Sequence, residues 1–157
     1  MIEDAIQISK LFIPLIAFLG LYIAWQQYVA NKTKIRLELY DKRFNIYNAI
    51  VTVIGEILSS DEKINEEQYK KFFVACNEAQ FLLPDDVYAC LSKPRELVGI
   101  IKVKKRSLYR LDKKDDEGLS KVKEALCNEL MEYESELEDL EPSITYSFSR
   151  VLKFEKF

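Results

Sequence analysis

Apolar residues fill one uninterrupted stretch near the start of the chain. From Leu11 to Trp25 there are fifteen consecutive residues without a charge. A helix of this length covers roughly 22 Å, whereas the hydrocarbon core of a bilayer is about 30 Å thick. Lys10 can extend outward at one end, and Trp25 and Tyr28 suit the aromatic belt at the other. With these flanks, the pattern predicts a membrane-spanning helix over residues 6–28.

Three other interpretations of this stretch fit less well. A cleaved signal peptide would begin with basic residues, but Glu3 and Asp4 precede Lys10, and Tyr28-Val29-Ala30 is a poor cleavage site. A helix buried in a soluble core would need a larger domain to enclose apolar residues on all its sides. An amphipathic helix lying along the membrane surface is excluded because the stretch has no polar face.

Beyond this stretch, apolar residues recur at alternating spacings of three and four. Between Asn31 and Leu58 there is no proline, so we predict that the same helix continues. Its apolar face is wide, which is typical of a central helix in a bundle rather than of a two-stranded coiled coil. Two adjacent stripes form this face: Leu37, Tyr40, Phe44, Tyr47, Val51, Ile54 and Leu58, and beside them Leu39, Ile46, Ile50, Val53 and Ile57.

Turn and capping residues divide the middle of the chain into further helices. Ser59-Ser60-Asp61 favours the end of the first helix. Asn65 is the predicted N-cap of the next helix, which runs to about Leu83, with Gln68 completing a capping box. Pro84 ends that helix, and the two aspartates after it suit the N-terminus of another.

Two further prolines interrupt the chain after Pro84. A helix reaching about Leu111 contains Pro94, so we expect a kink or short break near residues 92–93. A last long helix starts at Leu119 and ends at Glu141-Pro142-Ser143. A short C-terminal helix then packs back on the bundle.

These elements predict an all-α protein in two parts. Residues 1–30 form the N-terminal tail and transmembrane helix, and residues 31–157 form a cytoplasmic antiparallel bundle of about four helices plus the short C-terminal helix. The second part is large enough for a single core. In an antiparallel hairpin that turns near Asp116, residue 104 should lie opposite about residue 128.

The distribution of basic residues predicts the orientation of the span. Lys32, Lys34 and Arg36 closely follow it, whereas Lys10 is the only basic residue before it. By the positive-inside rule, this places the N-terminus outside and the C-terminal domain in the cytoplasm, with the span in the inner membrane. The interface residues are then Lys10, Trp25, Tyr28, Lys32 and Lys34. An odd number of cysteines without CxxC spacing agrees with a reducing compartment.

Composition argues against catalysis. The net charge is −3, and the chain contains no histidine, the commonest general base and metal ligand. Glu134 and Glu138 are four residues apart, but di-iron bundles also require Glu-x-x-His pairs. The four glycines are isolated, so no phosphate-binding loop exists. We therefore predict no catalytic residue, no metal, no cofactor and no enzymatic activity.

Charged residues are segregated, and this provides candidate binding residues. Positive charge dominates residues 102–114, and residues 129–141 carry seven acids and no base. The basic block could hold an acidic protein partner or a nucleic acid phosphate, although a solvated face is the commoner meaning of such runs. Tyr109 is its one aromatic residue and three acids follow it at 115–117, which argues against nucleic acid. Asp41 and Arg43 lie in a dense mixture of aromatic and charged residues. The candidate partner-binding residues are Asp41, Arg43, Lys102, Lys104, Lys105, Arg106 and Arg110.

One segment resembles a known group of proteins. The Gln-Gln-Tyr and Asn-Lys junction after the span, followed by Leu-Glu-Leu-Tyr-Asp-Lys-Arg-Phe-Asn-Ile-Tyr at residues 37–47, is similar to small bacterial membrane-anchored proteins. The final Phe148…Val151-Leu152-Lys-Phe154 shares this likeness less clearly. Members of the group are sometimes encoded near phage-defence genes. The resemblance implies a role in defence and transfers no catalytic residue.

The sequence therefore predicts a membrane-anchored, non-enzymatic interaction or scaffold module, accessory to a bacterial defence system. Its partners would be the lipid bilayer and either another protein or further copies of itself. An alternative function is a membrane-perturbing effector that oligomerises through its span, in which Gly20 allows one close helix contact and Gln26 and Gln27 bond between spans.

Overall fold

Every regular element in the described part of the chain is a helix. The computed structural model describes residues 2–60, 64–112 and 120–153, with side chains from residue 14 onward. The helices are α1 (Ile2–Ser59), α2 (Glu66–Leu82), α3 (Asp85–Ala89), α4 (Ser92–Asp112) and α5 (Ser120–Leu152). The prediction of an all-α fold is confirmed for these residues, with four long helices and one short helix.

The predicted span falls only partly within the described side chains. Among the residues described, no helix is both long enough and apolar enough to cross a membrane. The side chains of residues 6–13, which form the first third of the predicted span and include Lys10, lie outside the described part.

The chain divides into two compact units, and the division falls inside α1. The first unit is Met1–Tyr40 and the second is Asp41–Phe157, whereas the sequence suggested a boundary after residue 30. In the first unit, each described residue from 14 to 38 is exposed. The second unit contains the buried core of the described residues.

α1 confirms the prediction that one helix continues past residue 31 as far as Ser59. Of its two apolar stripes, the one from Ile46 to Ile57 is buried, with Ile50 and Val53 fully inaccessible. The other stripe is only partly buried, and Phe44 remains 45% exposed. The core therefore lies against a face centred on Ile50.

The core joins α1 to the other helices of the second unit. Each fully buried side chain of this size contributes about 1.5–3 kcal/mol through the hydrophobic effect. Ring contacts add to it, since the ring centroids of Tyr47 and Phe148 are 5.3 Å apart. Besides Ile50 and Ile54, the buried residues of this core include Phe72 and Cys76 of α2, Leu97 and Ile101 of α4, and Leu137 and Phe148 of α5.

α2 begins as predicted, but its cap is completed by another helix. The side chain of Asn65 accepts a hydrogen bond of 2.8 Å from the backbone N–H of Glu67. The return bond of the predicted capping box comes from α1 rather than from Gln68, because the Asn65 N–H donates to Glu56 Oε1 at 3.0 Å. The cap therefore also ties the start of α2 to the end of α1.

The predicted break near residues 92–93 lies slightly earlier in the chain. α3 ends at Ala89 and α4 begins at Ser92, so the break is at Cys90 and Leu91. Pro94 then occupies the first turn of α4. N–H groups in the first turn have no acceptor within the helix, so the missing N–H of proline costs no hydrogen bond there. The buried side chain of Leu91 fixes the position of this turn.

The predicted end of the last helix at Pro142 is wrong. α5 continues through Pro142 to Leu152, so the described residues after Pro142 belong to α5 and form no separate helix. A proline inside a helix costs about 3 kcal/mol. Leu137 before it and Ile144 and Phe148 after it are all buried in the same core, and their burial exceeds this cost.

The predicted register of the α4–α5 hairpin is confirmed. Lys104 forms an ion pair with Glu129, one residue from the expected position 128. Lys93 contacts Glu136 at 3.2 Å and Lys123 contacts Asp112 at 3.1 Å, as an antiparallel pair requires. The turn itself, in residues 113–119, lies outside the described residues.

Lys105 joins three helices from inside the bundle. Its side chain is only 2% exposed, and its Nζ donates to the backbone oxygens of Ile57, at 3.0 Å, and Ser60, at 2.5 Å. α1 has no basic residue in its last turn, so a cation from α4 satisfies the carbonyls at its C-terminus. The same Nζ lies 2.8 Å from Glu134 Oε1 of α5 in an ion pair that lacks hydrogen-bond geometry, which leaves Oε1 buried without a hydrogen-bond donor.

Replacing Lys105 should destabilise the bundle strongly. We expect Lys105→Met to lower the free energy of unfolding by about 3–5 kcal/mol, because it leaves Glu134 and two backbone oxygens without their cation. Urea unfolding of the full chain in mild detergent, followed by circular dichroism, measures this change. Arg106→Met, at an exposed neighbouring position, should change stability by about 0.5 kcal/mol or less. Equal effects of the two substitutions would contradict the role of Lys105.

Replacing Pro142 should have the opposite effect. Pro142→Ala restores an N–H that can donate to the backbone oxygen of Glu138, so we expect a gain of about 1–3 kcal/mol in the same unfolding experiment. Ser143→Ala, which alters helix propensity alone at the next exposed position, serves as the control. A loss of stability in Pro142→Ala would mean that the core needs a bend at this position.

Candidate functional site

The candidate residues fall into two groups, and the structure places them differently. The first group is charged and belongs to the second unit, beginning with Asp41 and Arg43 on α1. The second group lies around the uncharged part of α1.

Arg43 is engaged with the end of α2. Its Nε donates a hydrogen bond of 2.9 Å to the backbone oxygen of Leu82, the last residue of that helix. α2 has no basic residue in its own last turn, so Arg43 supplies the cation that a helix C-terminus favours. Asp41, two residues earlier, is exposed.

Lys102 and Lys104 contact neighbouring helices on opposite sides of α4. Lys102 Nζ lies 2.8 Å from Glu66 Oε2 and 3.4 Å from the ring centroid of Tyr69, both on α2. Lys104 pairs with Glu129 of α5 and lies 5.3 Å from the ring centroid of Tyr133. Each lysine side chain is 18% exposed, and both hold α4 against its neighbours.

Arg106 and Arg110 are the exposed members of the basic block. They are one helical turn apart on α4, in the half of that helix that leads to the turn region. Lys105, between Lys104 and Arg106, is directed into the core instead. Of the seven charged candidates, Asp41, Arg106 and Arg110 therefore remain on the surface, whereas the other four make contacts within the bundle.

The uncharged part of α1 exposes large apolar side chains on every side of the helix. Phe18 is 72% exposed, Leu21 69%, Ile16 65% and Trp25 60%. Contiguous apolar surface of this kind marks a site of contact with a membrane or another protein. The further exposed apolar residues of this segment are Leu15, Leu19, Tyr22, Ile23, Tyr28 and Val29.

Polar groups in this segment bond along the helix. Gln26 Nε2 donates to the Tyr22 hydroxyl at 2.9 Å, and the Thr33 hydroxyl donates to the Val29 carbonyl at 3.0 Å. Lys34 lies 3.9 Å from Glu38, with both side chains largely exposed. Tyr22 and Trp25 also contact each other, with ring centroids 6.5 Å apart.

Sequence reasoning missed several contacts that position these elements. Glu56 completes the cap of α2, Glu134 faces Lys105, and Arg150 Nη1 donates to Asp86 Oδ2 at 2.9 Å. The aspartates after Pro84 signalled the start of a helix, but no local pattern identifies partners 64 residues away.

An open groove of about 670 Å³ lies along α4 and is lined by Phe73 of α2. Gly99, Ile100 and Val103 contribute its apolar surface, and the guanidinium of Arg95 lies 4.7 Å from the ring centroid of Phe73. Within the described residues, no group of three or more Cys, Asp or Glu side chains is placed to hold a metal ion.

The three cysteines are free thiols in different surroundings. Burial raises the pKa of Cys76 to about 11, and the nearby charge of Arg95 opposes this shift only in part. Burial also raises the pKa of Cys90, although a hydrogen bond with Ser147 acts in the opposite direction. Thiols with raised pKa values are poor nucleophiles at neutral pH, so these two cysteines are structural.

Cys76 should make stability depend on pH above 9. In the fold its thiol stays protonated up to about pH 11, whereas the unfolded thiol ionises near its ordinary value of 9.0. The native state binds more protons between these values, so its stability should fall as pH rises, by at most about 2–3 kcal/mol. Comparing urea unfolding at pH 8 and pH 10.5, we expect a smaller fall in Cys76→Ala than in the unmodified chain.

Cys127→Ala is the matched control because Cys127 is only half-buried. The stability of Cys127→Ala should fall between pH 8 and pH 10.5 by as much as that of the unmodified chain. A fall of equal size in Cys76→Ala and in the unmodified chain would contradict the assignment to Cys76.

No protein family, curated protein or solved structure matches this chain.

Proposed function

We propose that the chain is a membrane-anchored, non-enzymatic interaction module of a bacterial defence system. In this proposal, the uncharged part of α1 crosses the inner membrane, and the bundle recruits a protein partner or another copy of the chain in the cytoplasm. The observation that carries the proposal is the exposure of large apolar side chains on all sides of α1 between Leu15 and Val29.

The length of the uncharged sequence supports a bilayer as the surrounding medium. No charged residue occurs from Leu11 to Asn31, a stretch of 21 residues. As a helix this stretch is about 30 Å long, which is comparable to the thickness of the hydrocarbon core, and with Trp25 and Tyr28 at one boundary its last residues extend toward the headgroups. Lys10 and Lys32 flank this stretch in the sequence, and the ammonium group of Lys32 can reach water.

The hydrogen bonds of this segment are also suited to lipid. Unpaired polar groups are costly in hydrocarbon, and a helix satisfies its backbone groups internally. The bond from Gln26 to Tyr22 reduces this cost for two of the polar side chains. A single protein partner would cover one face of the helix, whereas lipid covers all of them.

The charge distribution supports a cytoplasmic bundle. Lys32, Lys34 and Arg36 follow the uncharged stretch, and Glu3 and Asp4 precede it. This asymmetry favours retention of the C-terminal side in the cytoplasm.

The surface of the bundle supports binding rather than chemistry. The chain has no histidine, and the buried or partly buried lysines and Arg43 hold helices together. Asp41, Arg106 and Arg110 are the candidate residues left to meet a partner. The resemblance of residues 37–47 to small membrane-anchored proteins found near phage-defence genes is the basis for assigning the module to defence.

Trp25 is the single tryptophan of the chain, so its fluorescence tests the membrane insertion directly. In lipid vesicles, we expect lipids with brominated chains to quench its emission and aqueous iodide to leave it unchanged. In the control Trp25→Phe/Phe81→Trp, the tryptophan moves to an exposed position of α2. Iodide should then quench its emission, and the brominated lipids should leave it unchanged. Quenching of Trp25 by iodide alone would overturn the proposal.

A charge placed in the stretch provides a second test in cells. Leu19→Arg costs about 3 kcal/mol at the centre of a span, so the protein should leave the carbonate-washed membrane fraction. Val103→Arg, at an equally exposed apolar position of the bundle, should remain in that fraction. Identical fractionation of both variants would contradict a spanning role for α1.

A further inference from the structure

Three cations directly follow the uncharged stretch of α1. Lys32, Lys34 and Arg36, here called the basic collar, occupy five residues, and no acidic residue occurs between Leu11 and Leu37. All three side chains are exposed. Lys34 lies 3.9 Å from Glu38, and an ion pair so long and so exposed neutralises little of the charge of this lysine.

The basic collar surrounds the helix rather than forming one pocket. Successive residues are separated by about 100° around a helix axis, so Lys32 and Arg36 share one side and Lys34 lies on the opposite side. One phosphate ion therefore cannot contact all three cations. Several separate anions, arranged around the helix, can contact all three cations.

The depth of the basic collar matches the headgroup layer. Lys32 lies about 6 Å along the axis beyond Tyr28, and the polar layer on each side of a bilayer is about 5–8 Å thick. Trp25 and Tyr28 are aromatic residues of the kind that settle at the boundary of the hydrocarbon. With them at that boundary, the collar lies at the level of the lipid phosphates.

We propose that the basic collar binds the headgroups of anionic phospholipids and gathers these lipids around α1. The inference rests on the proposed insertion of α1, and it names the lipid class that this anchor prefers. Basic residues next to a span attract anionic lipids through such contacts. The match in charge and depth favours lipid headgroups over a soluble phosphate.

Lipid selectivity can be measured at Trp25 with the full chain. Two vesicle preparations contain equal amounts of phosphatidylcholine and phosphatidylglycerol. Phosphatidylcholine carries the brominated chains in one preparation, and phosphatidylglycerol carries them in the other. We expect phosphatidylglycerol to associate with α1 about fivefold more strongly than phosphatidylcholine at low salt, approaching equality at about 1 M NaCl.

Two variants with the same loss of charge locate the effect. Lys32→Gln/Lys34→Gln/Arg36→Gln should lose the preference while Trp25 is still quenched by both brominated lipids. Lys70→Gln/Lys121→Gln/Lys153→Gln, which removes three exposed cations from the bundle, should keep the preference.

The outcomes separate this inference from the proposed function. Equal quenching by the two lipids in the unmodified chain overturns the inference and leaves the insertion of α1 in place. Absence of quenching by either lipid overturns both. A preference that survives in the collar variant, or one abolished by added inorganic phosphate at constant ionic strength, also overturns the assignment to lipid headgroups.

Discussion

The second unit depends on the contact between Lys105 and the end of α1. A buried ammonium is costly to desolvate, and this one is accommodated because backbone oxygens and a carboxylate surround it. The same contact gives hydrogen-bond donors to the last carbonyls of α1, because such carbonyls have no partner within their own helix. α1, α4 and α5 must therefore be in place together before the Lys105 ammonium and the last carbonyls of α1 have their partners.

This arrangement recurs at the end of α2, where Arg43 donates to the Leu82 carbonyl. In both cases a helix without a basic residue in its last turn receives a cation from another helix. The charges of α4 act in the same way toward the sides of the bundle, through Lys102 and Lys104. Much of the positive charge in residues 102–110 thus stabilises the fold, and only a part is available to a partner.

The apolar residues in the two halves of α1 have different surroundings. From Ile46 to Ile57 the apolar residues follow one face and are buried by α2, α4 and α5. Between Leu15 and Val29 they cover the whole circumference and remain exposed within this chain. A one-sided pattern is satisfied by a small bundle, whereas an all-round pattern leaves exposed apolar surface of the kind that contacts a membrane or another protein. This contrast underlies the proposal of a membrane anchor and of anionic lipids at its polar end.

The sequence by itself determined that the described chain is built of helices, where α2 begins and how α4 and α5 are aligned. These features depend on neighbouring residues: the spacing of apolar positions, the Asn65 cap and the length of a short connection. Tertiary structure decided which stripe of α1 is buried, why α5 passes through Pro142, and that Lys105 is internal while Arg106 is exposed. Those outcomes depend on partners far away in the chain, such as Ile57, 48 residues from Lys105, and no local pattern records them.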